Sequence, residues 1–265
     1  CIRYRYSLGR KYSEDKSRHK DNEQAIFWLK KAALQGHTFA SNALGWILDR
    51  GEDPNYKEAV AWYQIAAESG MSYAQNNLGW MYRNGNGVAQ DYALAFFWYK
   101  QAALQGHSYA QDNLADLYED GKGVAQNKTL AAFWYLKSAQ QGNRHAQFQI
   151  AWDYNAGEGV DQDYKQAMYW YLKAAAQESV GAYVNIGYMY KHGQGVEKDY
   201  QAAFEWFMKA AECNDATAWY NLAIMYHYGE GRPVDLRQAL DLYRKVQASG
   251  TRDVSQEIRE IEDLL

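Results

Sequence analysis

Tryptophan recurs in this chain with a fixed period, and that period constrains the fold more than any other feature. Five tryptophans follow one another at intervals of 36 residues: Trp62, Trp98, Trp134, Trp170 and Trp206. Trp28 lies 34 residues before the first of them, and Leu242 takes the same place 36 residues after the last. Residues 70–105 and 106–141 are identical at 20 of 36 aligned positions. A chain of 265 residues with this period is a tandem array of one small unit.

Each unit has the pattern of two helices. In residues 72–84, Ala74, Leu78 and Met81 recur at helical spacing. The segment ends at Gly85, and glycine is the residue that most easily adopts the left-handed conformation of a helix C-cap. A second helix is predicted to begin after Asp91. The same place in the other units holds Asp or Asn, which are preferred N-cap residues: Asn55, Asn127, Asp163, Asp199 and Asp235. Glutamate or glutamine completes a capping box in three units: Glu58, Gln166 and Gln238.

Stacking of such units gives the predicted fold. A lone helix pair cannot bury its apolar face, whereas stacked neighbours share a continuous core. The sequence therefore predicts an all-α solenoid that forms a single domain over residues 1–265. Its seven helix-turn-helix units lie near 1–36, 37–70, 71–106, 107–142, 143–178, 179–214 and 215–250. Residues 251–265 lack the aromatic signature and are rich in charge, which is typical of a C-terminal capping helix.

The repeated motif resembles the Sel1-like repeat (SLR) family. Residues 74–88 read Ala-Gln-Asn-Asn-Leu-Gly-Trp-Met-Tyr-Arg-Asn-Gly-Asn-Gly-Val, and Ala95, Trp98-Tyr99 and Ala102-Ala103 follow. The resemblance implies a bacterial α/α right-handed superhelix, related to tetratricopeptide repeats, that acts as a non-enzymatic scaffold or adaptor for other proteins. It also implies a periplasmic or secreted protein involved in host interaction and virulence, with a cytoplasmic location as the alternative. Cysteine-rich members to which penicillin binding is ascribed have paired cysteines that are missing here, so that activity is not carried over.

Composition excludes several classes of protein. Aromatic residues make up 16% of the chain, far more than a disordered chain carries. The net charge of −4 argues against nucleic acid as a partner. No apolar stretch reaches the roughly 18 residues of a membrane span. Only two cysteines are present, Cys1 and Cys213, and a lipid anchor on Cys1 is not expected because Leu8 aligns with Leu44 and places a helix close to it.

No pattern in the sequence indicates catalysis. The Gly-x-Gly-Val loops recur between helices and follow no strand, which argues against a dinucleotide cradle. The six histidines form no His-Glu-x-x-His motif and no cluster with zinc-ligand spacing. The sequence therefore predicts no catalytic residue, no metal and no cofactor.

Two departures from the repeat involve carboxylates. Asp153 stands in a row that is apolar in the other units, and such a carboxylate is costly unless it is hydrogen-bonded. It is interpreted as a satisfied core residue or as a contact for a ligand or metal. Four further acids share one helical face, and this acidic patch is either a solvated face or a docking surface for a basic segment: Asp112, Asp116, Glu119 and Asp120.

The predicted partner-binding surface follows the first helix of each unit, by analogy with the concave face of tetratricopeptide repeats. An aromatic row at the helix centre offers the rings that dominate interface hot spots: Trp46, Trp80, Trp152 and Tyr188. A second row, near the helix start, is a candidate for binding or for interhelical packing: Phe39, Tyr73 and Tyr109. A row of amides could pair with an extended peptide or serve packing: Asn77, Asn113, Asn185 and Asn221.

These patterns favour a monomeric scaffold that binds a partner protein or peptide on its concave face. The alternative is a periplasmic enzyme associated with the cell wall, or a binder of sugars or other small molecules, because aromatic rows can stack on sugars. RNA binding is disfavoured by the net charge.

Overall fold

A computed structural model describes residues 2–14, 22–51 and 53–265 of the chain. In chain order its helices are α1 (Ile2–Glu14), α2 (Asn22–Ala33), α3 (Thr38–Arg50), α4 (Tyr56–Glu68), α5 (Ser72–Asn84), α6 (Tyr92–Leu104), α7 (Ser108–Asp120), α8 (Lys128–Gln140), α9 (Arg144–Ala156), α10 (Tyr164–Ala175), α11 (Val180–His192), α12 (Tyr200–Glu212), α13 (Ala216–Tyr228), α14 (Leu236–Ser249) and α15 (Ser255–Glu262). The described residues contain no strand. The predicted all-α class with helix-turn-helix repeats is confirmed.

The chain divides into two compact units, residues 1–141 and residues 142–265. In the first unit α1 to α8 form four antiparallel hairpins, and α2, α4 and α6 also pack against the first helix of the next hairpin. In the other unit α9 to α14 form three hairpins in the same manner, and the predicted capping helix, α15, packs on α14. We call α1, α3, α5, α7, α9, α11 and α13 the first helices, and their partners α2, α4, α6, α8, α10, α12 and α14 the second helices.

Side-chain caps fix where the helices begin. The Asp91 side chain accepts a hydrogen bond from the Leu94 amide at 2.9 Å, as the sequence predicts. The equivalent residues cap the other second helices from α4 onward: Asn55, Asn127, Asp163, Asp199 and Asp235. Four first helices have a cap of their own, which the sequence reading missed, and it is provided by His37, His107, Asn143 and Asp215.

A buried aromatic ring lies at the centre of each hairpin from α3 onward. These rings recur every 36 residues on the second helices, and all are fully buried: Tyr63, Tyr99, Tyr135, Tyr171, Phe207 and Tyr243. A Cβ atom at Gly79 of α5 would lie 2.8 Å from the Tyr99 ring, so the absence of a side chain there lets the helices approach closely. The tryptophans that reveal the period lie one residue earlier, and they are less deeply buried: Trp62 and Trp170 are 8% and 7% exposed, and Trp98 is half-buried.

Glycine loops join neighbouring repeats, and glutamine pairs join the two helices of one repeat. Gly87 has a φ of 73° and lies so close to the carbonyl group of Tyr56, in the preceding repeat, that any Cβ would overlap it. The Gln105 amide donates to the buried Gln75 side chain at 2.8 Å. Gln141 and Gln111 form the same pair, as do Gln177 and Gln147. The Gly-x-Gly-Val loop is therefore an element of packing between repeats.

Candidate interaction surface

The first helices of residues 1–141 carry an exposed aromatic surface. Near the helix starts, Phe39, Tyr73 and Tyr109 are 57%, 61% and 67% exposed. About two turns further on, Trp46 and Trp80 are 42% and 39% exposed. The half-exposed state expected for the tryptophan row is confirmed at these two residues. The Phe39 row faces solvent more than it packs between helices, so of its two interpretations the structure favours an open surface. We call these five residues the aromatic surface.

Neighbouring histidines hold part of the aromatic surface in place. The Tyr73 ring meets the His107 ring edge-on with centroids 4.7 Å apart, and His107 in turn contacts Tyr109 at 6.3 Å. Nδ1 of His107 accepts a hydrogen bond from the Ala110 amide at 3.2 Å, which fixes the orientation of the imidazole. His37 occupies the same place beside Phe39. Rings that are already oriented lose less entropy when a partner binds.

The asparagine row serves packing in both units. In residues 1–141, the Asn77 amide donates to Asn42 at 3.3 Å and the Asn113 amide donates to Asn76 at 3.1 Å. Each bond joins adjacent first helices, so one N–H of each amide is already used between repeats.

In residues 142–265, Asn185 donates to the Gly181 carbonyl at 2.9 Å. Asn221 is 2% exposed and donates to the Tyr188 hydroxyl at 3.0 Å and to the Thr217 carbonyl at 2.8 Å. The expectation that Asn221 faces a partner is wrong, because its amide lies beneath the surface and is bonded to Tyr188 and Thr217.

The acidic patch is largely neutralised by nearby cations. Asp116 pairs with Arg83 at 3.0 Å, and Asp120 pairs with Lys122 at 2.8 Å. Glu119 lies 3.7 Å from Lys128, and Asp112 is half-buried. Because three of the four carboxylates already face a cation, the patch presents much less negative charge than the sequence suggests, and the arrangement favours a structural role.

Several acids of the first helices lie beside a buried tyrosine hydroxyl. The Tyr63 hydroxyl donates to Asp49 at 2.7 Å, and the Tyr135 hydroxyl donates to Asp116 at 2.9 Å. Asp153 is 3% exposed. The burial of Tyr171, together with the negative charge of Asp153, raises the pKa of Tyr171 well above the ordinary value. Of the two interpretations of Asp153, the structure favours the core residue.

In residues 142–265 the aromatic row continues with Trp152 and Tyr188. Trp152 is exposed and Tyr188 is half-buried, with its ring stacked on His192 at a centroid distance of 6.1 Å. Next to Tyr188 lies a pocket of about 210 Å³, which sequence reasoning missed. It is lined by Tyr188, Ala216, Thr217, Tyr220, Val246, Thr251 and Arg252.

The second helices carry another set of exposed rings that the sequence reading did not single out. Each ring immediately precedes one of the periodic tryptophans and meets it edge-on: Phe27, Phe97, Phe133 and Tyr169. The signal was present as an aromatic residue before the tryptophan, but the sequence did not show that it faces solvent.

Among the described residues, no helix combines the length and apolar character needed to cross a bilayer.

Comparisons with known proteins agree with this architecture. A family model described as "Sel1 repeat" matches seven consecutive segments: 4–37, 38–71, 72–107, 108–143, 144–179, 180–215 and 216–245. The structure is similar to the crystal structure of a protective antigen present in uropathogenic Escherichia coli strains that displays an SLR fold. The TM-score is 0.89 and the sequence identity is 35%, over 94% of this chain and 54% of the antigen.

Two further relatives are also Sel1 repeat proteins. A Sel1 repeat protein from Oxalobacter formigenes matches with a TM-score of 0.74 and 32% identity, over 81% of this chain and 86% of that protein. The Sel1-repeat-containing protein YbeQ of Escherichia coli K12 is 95% identical over 78 residues, which are 29% of this chain and 24% of YbeQ. The matched regions therefore span about half of the antigen and about a quarter of YbeQ.

Proposed function

Because this chain belongs to the Sel1 repeat family, we propose that it is a protein-binding scaffold with no catalytic activity of its own. The observation that carries the proposal is the aromatic surface, where five large rings on consecutive first helices face solvent. Large rings with few rotatable bonds give much contact area for little loss of entropy, and they are enriched in binding hot spots. The repeat core does not require these rings, since the buried tyrosines fill the hairpin centres.

The geometry also suggests how a partner would bind. Hydrogen bonds join adjacent first helices, from Asn77 to Asn42 and from Asn113 to Asn76, so the rings of one row can contact successive side chains of a protein or peptide laid across the helices. Asn77 and Asn113 each use one amide donor between repeats, so the partner is held by apolar contact with the rings more than by a ladder of amide bonds. The same reasoning extends to Trp152 and Tyr188 in residues 142–265.

The cellular setting is a further part of the proposal. We place the protein in the periplasm or outside the cell, as a monomer that contacts a host or another bacterial protein. The support is the family together with the similar antigen of uropathogenic strains. Fractionation of native cells against periplasmic and cytoplasmic marker enzymes tests the location, and light scattering of the purified protein tests the monomer.

The scaffold function is tested by crosslinking at matched surface positions. A photo-crosslinking amino acid is placed at Trp80 and, as a control, at Phe97, a ring of similar exposure on a second helix. Partners captured in cells are identified by mass spectrometry, purified and titrated against single variants. Trp80→Ala is expected to weaken binding by about tenfold or more, as loss of a hot-spot ring does, and Phe97→Ala to leave affinity unchanged. A partner that binds both variants like the parent protein overturns the proposed surface.

A further inference from the structure

A small polar pocket lies where α11, α13 and the turn between α14 and α15 meet. Its volume of about 210 Å³ is below the roughly 300–1,000 Å³ of sites for drug-sized ligands. It therefore has room for one side chain or one chain terminus. No carboxylate is among its lining residues, whereas a guanidinium and the hydroxyl groups of threonine and tyrosine are.

The guanidinium of Arg252 is the charged group of this pocket. It lies over the Tyr220 ring, 4.0 Å from the centroid, and it forms no ion pair within the part of the chain that the structure describes. The adjacent Asp253 is engaged elsewhere, because it accepts hydrogen bonds from the amide and the hydroxyl of Ser255 at 3.0 and 2.6 Å. A guanidinium stacked on a ring keeps its N–H edge available, and that edge matches the two oxygens of a carboxylate.

Tyr188, which also lines the pocket, supplies an oriented donor. Its oxygen accepts the amide of the buried Asn221 at 3.0 Å, so its own proton is left to donate. Thr217 adds a hydroxyl that can also donate. Asp215, the acid at the start of α13, does not line the pocket, and its oxygen accepts from the Ala218 amide at 2.8 Å. The pocket thus offers one cation and several donors without an opposing carboxylate.

We propose that this pocket binds a carboxylate of a partner segment, with Arg252 as the ion-pair partner and Tyr188 as a hydrogen-bond donor. Tyr188 also belongs to the predicted aromatic row, so a segment lying on the first helices of residues 142–265 can place an acidic group here. This inference rests on the proposed scaffold function for its biological meaning. The carboxylate comes from an Asp or Glu side chain or from a chain terminus, and both supply the same chemistry.

The first experiment uses propionate, with propionamide as the neutral probe of the same shape. NMR spectra of the full chain are followed during titration, and the resonances of Arg252 and Tyr220 are expected to shift to saturation with propionate only. Arg252→Gln should weaken this binding by about tenfold or more, because it removes the charged donor. Arg237→Gln, which alters an exposed arginine on α14, should not change it. Equal shifts with propionamide, or full binding by Arg252→Gln, overturn the proposal.

A second experiment identifies the source of the carboxylate and tests Tyr188. Three fluorescent peptide pools are compared: a free C-terminus without acidic residues, an amidated C-terminus with one Glu, and an amidated C-terminus with Gln in its place. Either of the first two pools should bind more tightly than the third, and Tyr188→Phe should remove part of that difference while keeping the ring. Equal binding of all three pools contradicts the proposal that the pocket binds a carboxylate. It does not affect the test of the scaffold function, which depends on partner capture at Trp80. Loss of that capture alone contradicts the scaffold surface and not the pocket.

Discussion

The Arg83 guanidinium lies 3.0 Å from the carboxylate of Asp116, one repeat further along the chain. The same carboxylate accepts a hydrogen bond from the buried Tyr135 hydroxyl at 2.9 Å. Both members of the ion pair are mostly buried, with side chains 27% and 20% exposed. One acid therefore connects the core of its own hairpin to the preceding repeat, and removing it takes a carboxylate partner away from a desolvated cation and from a buried hydroxyl.

Asp116→Ala is expected to destabilise the folded protein by about 2–4 kcal/mol, because a largely buried guanidinium loses its ion pair and a buried hydroxyl loses its carboxylate acceptor. Asp120→Ala is the matched control, since its pair with Lys122 is exposed and screened by solvent, so its loss should change stability little. Urea unfolding followed by circular dichroism measures both changes. Equal losses in the two variants would show that Asp116 acts as an ordinary surface charge.

Gly87→Ala is expected to cost about 2–4 kcal/mol, which combines the strain of a positive φ with overlap on the Tyr56 carbonyl. Gly106→Ala separates the two effects, because Gly106 has a φ of 86° but no atom within 4 Å of the added Cβ. That variant should lose only about 1 kcal/mol. Thermal unfolding compares them, and an equal loss at both glycines would mean that the loop does not hold neighbouring repeats together.

The fold was predictable because periodicity and local chemistry agree at each level. The tryptophan period set the unit length, and cap residues such as Asp91 set where the second helices begin. Both signals are local or strictly repeated, so a single sequence is enough to predict the helix pairs. The buried row of Tyr63 and its equivalents has the same period. The sequence could not show that it is the more deeply buried of two adjacent aromatic rows.

The surface was harder to predict because it depends on hydrogen-bond and ion-pair partners that differ from one repeat to the next. Helical spacing placed Asn221 on the binding face, yet its amide is bonded to Tyr188 in the neighbouring first helix. The acidic patch likewise could not be recognised as paired, since Arg83 comes from another repeat. Arg252 lies in a turn outside the repeat pattern, so no row of equivalent positions points to its pocket.

Alkaline pH is expected to unfold the protein steeply above about pH 10, the ordinary tyrosine value. Burial is the main cause that raises the pKa of Tyr63, Tyr99, Tyr171 and Tyr243 in the folded state. The unfolded chain then loses these protons first, so stability is complete below that pH and falls as the pH rises further. Absorbance of tyrosinate should show exposed rings such as Tyr73 ionising first and buried ones only with unfolding. Gradual ionisation of all tyrosines while helicity persists would contradict this.

Acid pH should weaken the start of α7, because its cap is a histidine. Burial lowers the pKa of His107 below its ordinary value, and the neutral Nδ1 accepts the Ala110 amide. This contribution to stability is present above the unfolded-state value of about 6.5 and is lost as the pH falls through the lowered folded-state value. Its size should be about 1 kcal/mol, as for other N-caps.

His107→Asn tests this assignment, because Asn143 caps α9 from the equivalent position in the next repeat without a titratable ring. The variant should match the parent protein at neutral pH and be the more stable of the two under acid conditions. Hydrogen exchange of the first-turn amides of α7 provides the local measurement, and Asn113→Ala serves as a control that leaves the cap in place. If both proteins lose protection in α7 equally as the pH falls, the histidine cap is not the source of the acid sensitivity.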